Sequence, residues 1–278
     1  MPSLSSLIER RDGASVRDGL EAFVRGATSW PPLSDGPANP SFPVSFEEAE
    51  EDLARMAADP KPQARPLVLV GGWADPFSGM HPVEKRLAPC FVEPRIARIH
   101  HKIFNTHRAY RDRLVGHVEE AFPSEDTEQT TEVDVVAHSM GGLISRYAAM
   151  PVEGVKRLRL KRLFTMGTCH RGAAMAPLVQ AEPLARDMLP GGAHLARLDA
   201  ALPDAKYELT CYARLQDELV GTDRCAPEGF PLWWVPNRRF ERAHWCSKYD
   251  ARLLADAARR LRGEEPLTRE PAAPLPGA

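Results

Sequence analysis

A serine sits where a strand-like sequence runs straight into a helix-like one. Residues 133–147 read VDVVAHSMGGLISRY: four residues of β-type sequence, then Ala-His-Ser-Met-Gly-Gly, then a helical pattern. A chain that reverses from strand to helix in so few residues crowds its own backbone. Small residues two places to either side of the turning residue relieve that crowding, and Ala137 and Gly141 hold those places around Ser139. Such a turn lifts a hydroxyl clear of a sheet. It also aims the N–H of Met140, first in the following helix, at any oxyanion formed on an attacked acyl carbon. The spacing is that of a nucleophile elbow, usually G-x-S-x-G and here A-H-S-M-G. An ordinary capping serine is the bland alternative, and the strand-then-helix context weighs against it.

A serine hydroxyl is a poor nucleophile near neutral pH unless a base takes its proton, and the base needs an orienting carboxylate. In this setting the expected chain order is Ser, then Asp or Glu, then His. The strand YELTCYAR leads into LQDELVG, which places Asp217 just past a strand's end. Glu218 and Asp223 are its rivals, and Asp217 is preferred because it comes soonest. Past Asp217 the sole histidine is His244, in FERAHWCSKYDARLL, expected in a loop ahead of the last helix. A second oxyanion donor is expected after an earlier strand. PLVLVGGW at 66–73 supplies that strand, with Trp73, or less favourably Gly72, to offer the N–H. GGWADP lacks GxGxxG and a following Lys-Ser/Thr, so a phosphate cradle is not indicated.

These residues need a scaffold. Candidate strands are 67–70, 96–100, 133–137, 163–166 and 207–213; candidate helices are 46–58, 108–122, 140–149 and 249–261. Short apolar strands alternating with helices predict an α/β fold, a mostly parallel central sheet with helices on both faces. Ligands in such sheets sit at the carboxyl ends of the strands, where Ser139 falls. Residues 1–65, with a possible helix at 16–25 and eight prolines between Pro31 and Pro66, are expected as an irregular N-terminal extension. Ser45 and Glu48 have capping-box spacing ahead of the helix at 46–58. The main domain is expected at 66–262, and 263–278, GEEPLTREPAAPLPGA, as a disordered tail. Within the domain, the Met- and Leu-rich segment 172–204 is either a helical lid or cap or an ordinary helix pair. Met175, Leu178, Val179, Leu184, Met188, Leu189, Leu195, Leu198 and Leu202 could line an acyl pocket or pack as core leucines.

Composition narrows the partners. The 278 residues carry a formal charge of −2, with 43% hydrophobic and 27% charged residues. That gives ample core material and no electrostatic reason to expect nucleic acid or an anionic membrane. The longest apolar runs are strand-length, so no integral membrane segment is expected. The five scattered cysteines lack CxxC spacing, which argues against a disulfide framework or structural zinc and suits a reducing compartment. With no recognisable secretory signal, a cytoplasmic location is expected, export without a signature staying open.

Other clusters carry weaker expectations. His100 and His101 point to opposite faces of a strand, so a metal site with His107 is not expected. Cys169 reads as a buried small residue rather than a reactive thiol. The run VKRLRLKR at 155–162 reads as a solvated approach to a strand, with an anionic surface as its alternative.

With these residues in place, the chain resembles the α/β-hydrolase superfamily, and within it bacterial lipases and esterases. The pieces that carry the resemblance are VVAHSMGGLISRY, MGTCHRGA, DMLPGGAHLARLDA and AHWCSKYDARLL, and it spans about 66–262. MGTCHRGA is similar to the family's G-T-P-H-R-G with Cys169 in place of proline, and it implies that His170 braces the loop beside the site. Gly71-Gly72 stands where the family often has His-Gly. The resemblance implies hydrolysis of small-molecule or lipid esters through Ser139, Asp217 and His244, with no metal or organic cofactor. An acyltransferase or thioesterase of the same fold, or a catalytically silent binding protein, is the alternative.

Overall fold

A computed structural model of the chain describes residues 36–73, 79–99, 106–178 and 183–277. The described strands are β1 (Lys61–Pro62), β2 (Leu67–Val70), β3 (Phe91–Val92), β4 (Ile96–Ile99), β5 (Val133–His138), β6 (Leu160–Met166), β7 (Glu208–Arg214) and β8 (Leu232–Val235). Six of them form one sheet in the order β4-β2-β5-β6-β7-β8, parallel throughout, while β1 and β3 pair separately. The helices are α1 (Phe46–Ala58), α2 (His81–Leu87), α3 (His107–Ala121), α4 (Met140–Ala149), α5 (Pro183–Asp187), α6 (Ala193–Ala200), α7 (Ala243–Ser247) and α8 (Ala251–Arg262).

Two cores lie on opposite faces of this sheet. Successive side chains of a strand point to opposite sides. Val68 and Val70 of β2 therefore join α3, α4, α5 and α6 on one face, while Leu67 and Leu69 join α1, α2 and α8 on the other. Every residue of β2 and β5 is buried, as helices on both faces require. The expected α/β architecture is the one found.

Some elements differ from the sequence reading. Strand β6 starts at Leu160, three residues early, and its Arg162 is neutralised by Asp134 of β5 at 2.5 Å. The run 155–162 further pairs Lys156 with Glu119 and Arg159 with Glu132, so it is an ion-paired approach to a strand. Strand β8 was not expected, because LWWV is short and follows proline. Helix α2, with proline at its start, was also missed.

Helix α1, ahead of the boundary expected at residue 66, packs on α8. Helix α1 has the capping box that its sequence spells: the Ser45 hydroxyl accepts from Glu48 N at 3.1 Å and Glu48 Oε2 from Ser45 N at 2.7 Å. Its Ala49, Leu53 and Met56 are buried against α8. The tail after α8 makes hydrogen bonds to the domain. Leu267 N and Thr268 N donate to the buried Asp256 carboxylate, Ala273 N donates to Ser41 Oγ, and Trp234 Nε1 donates to Ala273 O. A proline-rich chain lacks internal hydrogen bonds, and here the domain supplies them. In the segment 172–204, Leu184, Met188, Leu195 and Leu198 are buried in the α3–α4 core. The expected helix at 16–25, His100, His101 and Val179 lie outside the described residues. Among the described residues no helix is long and apolar enough to cross a membrane.

Candidate active site

The carboxyl ends of β5, β6 and β7 converge on Ser139. Its backbone is held at φ 54°, ψ −131°, a conformation that costs a non-glycine residue energy and persists only where the surroundings impose it. The surroundings are visible. Ser139 N donates to Met166 O at the end of β6, and the helix α4 begins at the next residue. A Cβ on Gly141 would stand 2.6 Å from the carbonyl oxygens of both Val70 and Gly71, and one on Gly72 would stand 2.7 Å from Ser139 Cβ. The loop after β2 thus runs directly against the elbow, an approach that only residues without side chains allow.

Asp217 and His244 arrive from far along the chain. Asp217 lies three residues past β7, in a turn closed by Gly221 N on Asp217 O and by Asp217 N on Thr222 Oγ1. Its Oδ1 accepts from Leu219 N and Val220 N at 3.1 and 2.8 Å. Those bonds fix the carboxylate so that Oδ2 stands 2.9 Å from His244 Nδ1. His244 Nε2 in turn stands 3.1 Å from Ser139 Oγ. Because a carboxylate can only accept, Nδ1 carries the proton and Nε2 is left to accept from the serine hydroxyl. The Asp217 side chain is fully buried and that of His244 nearly so, while Ser139 is half-exposed. Burial works against the charged imidazole, yet its pKa is raised above 6.5 because the Asp217 charge and hydrogen bond outweigh that burial.

Residues 92–180 match the family model of the PGAP1-like alpha/beta domain. Among solved structures, the lipase BlEst2 of Bacillus licheniformis in its propeptide form is 15% identical, with 79% of this chain and 53% of that chain covered at a TM-score of 0.52. The fold is that of an α/β-hydrolase. Phospholipase PlaB of Legionella pneumophila is 12% identical, with 58% of this chain and 45% of that one covered at a TM-score of 0.43. The chain therefore spans less than half of that phospholipase's length. The RedJ thioesterase from the prodiginine biosynthetic pathway of Streptomyces coelicolor is 18% identical, with coverages of 71% and 87% at a TM-score of 0.40. No curated protein matches the chain.

Within this fold the two rival acids lie elsewhere. Glu218 accepts from the main-chain N–H of His244, and Asp223 is solvent-facing beside Arg171. His244 itself lies in the one-turn helix α7 rather than in a loop. Of the two residues expected to line an oxyanion site, Met140 opens α4, and Trp73 follows Gly72, where an added Cβ would stand 2.7 Å from Ser139 Cβ. His170 is fully buried. Arg146 donates to its Nδ1 at 3.0 Å, leaving Nε2–H to donate to Thr165 Oγ1 at 3.1 Å. Burial, then the Arg146 charge, keeps it neutral. Cys169 is buried and its thiol is pushed up to about 12, which leaves it inert at neutral pH. His107 pairs with Asp187 at 2.8 Å, and among the described residues no cluster of three or more His, Cys, Asp or Glu side chains could hold a metal ion.

One residue of the site escaped the sequence reading. Gly167, the first residue after β6, has φ +60°, and a Cβ there would stand 3.1 Å from Asp217 Oδ2 and 3.4 Å from His244 Nδ1. Asp217 and His244 occupy the space a side chain would need. The signal was present as the glycine of MGTCHRGA, but a single glycine after a strand has many ordinary reasons.

Proposed function

We propose that this α/β-hydrolase is a serine carboxylic-ester hydrolase of lipase or esterase type, acting on small-molecule or lipid esters through Ser139, His244 and Asp217. One observation carries the reading: an unbroken hydrogen-bonded series from a strained, half-exposed serine through a buried imidazole to a buried carboxylate. His244 Nε2 takes the Ser139 proton as Oγ attacks the ester carbonyl, and Asp217 holds the ring and stabilises its charged form. The tetrahedral oxyanion is met by the N–H groups of Met140 and Trp73. His244 then protonates the departing alcohol, leaving an acyl group on Ser139. Water attacks that acyl carbon, giving its proton to the same base, and the acid leaves as Ser139 recovers its hydrogen. Every step uses side chains and amides of this chain.

The test is hydrolysis of p-nitrophenyl esters from acetate to palmitate by wild type and Ser139→Ala. Wild type is expected to turn over at least one ester, and the variant to lose about 10⁴-fold or more in kcat. The chain-length optimum separates esterase from lipase. Equal rates for the two proteins on every ester would defeat the reading.

A further inference from the structure

The ring of His244 is not its only attachment. The main-chain N–H donates to Glu218 Oε2 at 3.0 Å. The main-chain carbonyl accepts from His138 Nε2 at 3.0 Å and from Ser247 Oγ at 2.8 Å. A carbonyl can only accept, so His138 carries its proton on Nε2. The two long-range groups are chain neighbours of the other two reacting residues. His138 immediately precedes Ser139, and Glu218 immediately follows Asp217. Whatever places the nucleophile and the acid therefore also places the main chain of the base.

Neither contact is what general packing would select. Glu218 is only partly exposed, and its Oε1 is buried with no hydrogen-bond partner among the described residues. Burying a carboxylate so incompletely satisfied is costly. His138 is likewise buried, and its Nδ1 has no partner among the described residues. Two costly polar groups meet at the main chain of the one residue that carries the base, on the peptide units to either side of it.

We propose that Glu218 and His138 are positioning residues that fix His244 by its main chain, one at the N–H and the other at the carbonyl. The proposal rests on the hydrolase reading of the site. Among the described residues, four ionisable groups lie around His244: Asp217 and Glu218 from the loop after β7, Lys248 from the end of α7 and His138 from β5. After Asp217, the Glu218 charge favours the imidazolium, while Lys248 opposes it. His138 is held neutral by burial first and then by the charges of His244 and Lys248, so it constrains the base without adding charge.

The experiment compares Glu218→Gln, which keeps an acceptor and loses the charge, with Glu218→Ala, which loses both. His138→Gln keeps a donor and His138→Phe removes it. For each, the His244 pKa is read by NMR on protein labelled at histidine nitrogen, kcat and KM on a p-nitrophenyl ester, and the folded fraction by thermal unfolding. Glu218→Gln is expected to lower the His244 pKa and carry the acid limb of kcat/KM to lower pH. Glu218→Ala and His138→Phe are expected to lower kcat by roughly 10- to 100-fold with KM nearly unchanged, and His138→Gln to recover part of that loss. The proposal is overturned if the His244 pKa and kcat stay at wild-type values in the Glu218 variants, or if every loss of rate equals the loss of folded protein. Should Ser139→Ala match wild type on all esters while Glu218→Gln still moves the His244 pKa, the hydrolase reading fails and the positioning role stands.

Discussion

The elbow around Ser139 and the segment around His244 bring their side chains within 3.1 Å of each other, yet they are built in opposite ways. The elbow is local. A strand, a strained residue and a helix follow one another within the chain, held by backbone hydrogen bonds and by glycines that let β2 approach. His244, beyond its one-turn helix and the Ser247 hydroxyl, is held from far along the chain. Its ring is oriented by a carboxylate 27 residues away and its carbonyl by a histidine 106 residues away. The approach to it is pinned by buried charges: Asp250 meets Arg214 at 3.1 Å and Arg252 at 2.7 Å, and Arg214 also meets Glu241 at 2.7 Å. A nucleophile can thus be specified by a short stretch of chain, whereas a base must be specified by the whole domain.

That contrast can be broken from the side of the base first. Asp217→Asn removes the charge and frees the imidazole to adopt the wrong tautomer, and it is expected to lower kcat by about 10⁴-fold. The elbow stays intact, so circular dichroism and the melting temperature should change little by comparison. Asp250→Asn leaves two buried arginines without their shared charge. It is expected to destabilise the fold by about 3 to 5 kcal/mol, read from urea unfolding midpoints, whereas a surface aspartate such as Asp223 should tolerate the same change. A midpoint shift no larger at Asp250 than at Asp223 would mean that the loop does not depend on its ion pairs.

Gly167→Ala sharpens the comparison, because it touches the junction between β6 and the acid–base pair. The added Cβ meets Asp217 and His244 and strains a positive φ. About 1 kcal/mol or more of stability should be lost, together with a fall in kcat of roughly 100-fold from misplacing the pair. Wild-type kinetics in that variant would show that the pair can shift without consequence.

The last comparison is made with pH, without any substitution. Burial holds the pKa values of His138 and His170 well below the ordinary imidazole value, and His194 falls to about 4. Below about pH 6.5 the unfolded chain binds protons that these folded sites refuse, so stability falls as pH drops through that range, by up to about 1.4 kcal/mol per pH unit for each of His138 and His170. His244 works the other way. Its raised pKa adds stability below 6.5 that is lost as pH rises through the folded value. The lowered sites outnumber it, so the melting temperature should drop on acidification. The proposed mechanism needs neutral His244, so the acid limb of kcat/KM should lie above 6.5. A melting temperature that rises between pH 7 and 5 would contradict the first expectation.

The sequence was most legible where structure is local. The capping box at Ser45, helix α4 and the buried strands β2 and β5 follow from short-range patterns, and they appear as read. Strand β8 was not legible because four residues after a proline carry no periodicity. The anchored tail was not legible either, since nothing in GEEPLTREPAAPLPGA reports that Asp256, Ser41 and Trp234 will meet it. The Asp217 choice came from counting residues past a strand, but what separates it from Glu218 is a direction in space. One carboxylate faces the imidazole and its neighbour faces the main chain of the same residue.

By itself, then, the sequence determined the alternation of strand and helix, the strained serine between them and the short candidate set for acid and base. These rest on steric preferences and periodicities acting over a few residues. Only the tertiary structure decided that Gly167 must lack a side chain, that Glu218 holds His244 by its N–H, and that helix α1 and the segment after α8 pack on the domain. Those outcomes depend on which groups share space after the sheet has formed, and contacts between residues a hundred positions apart leave no mark on the spacing of either.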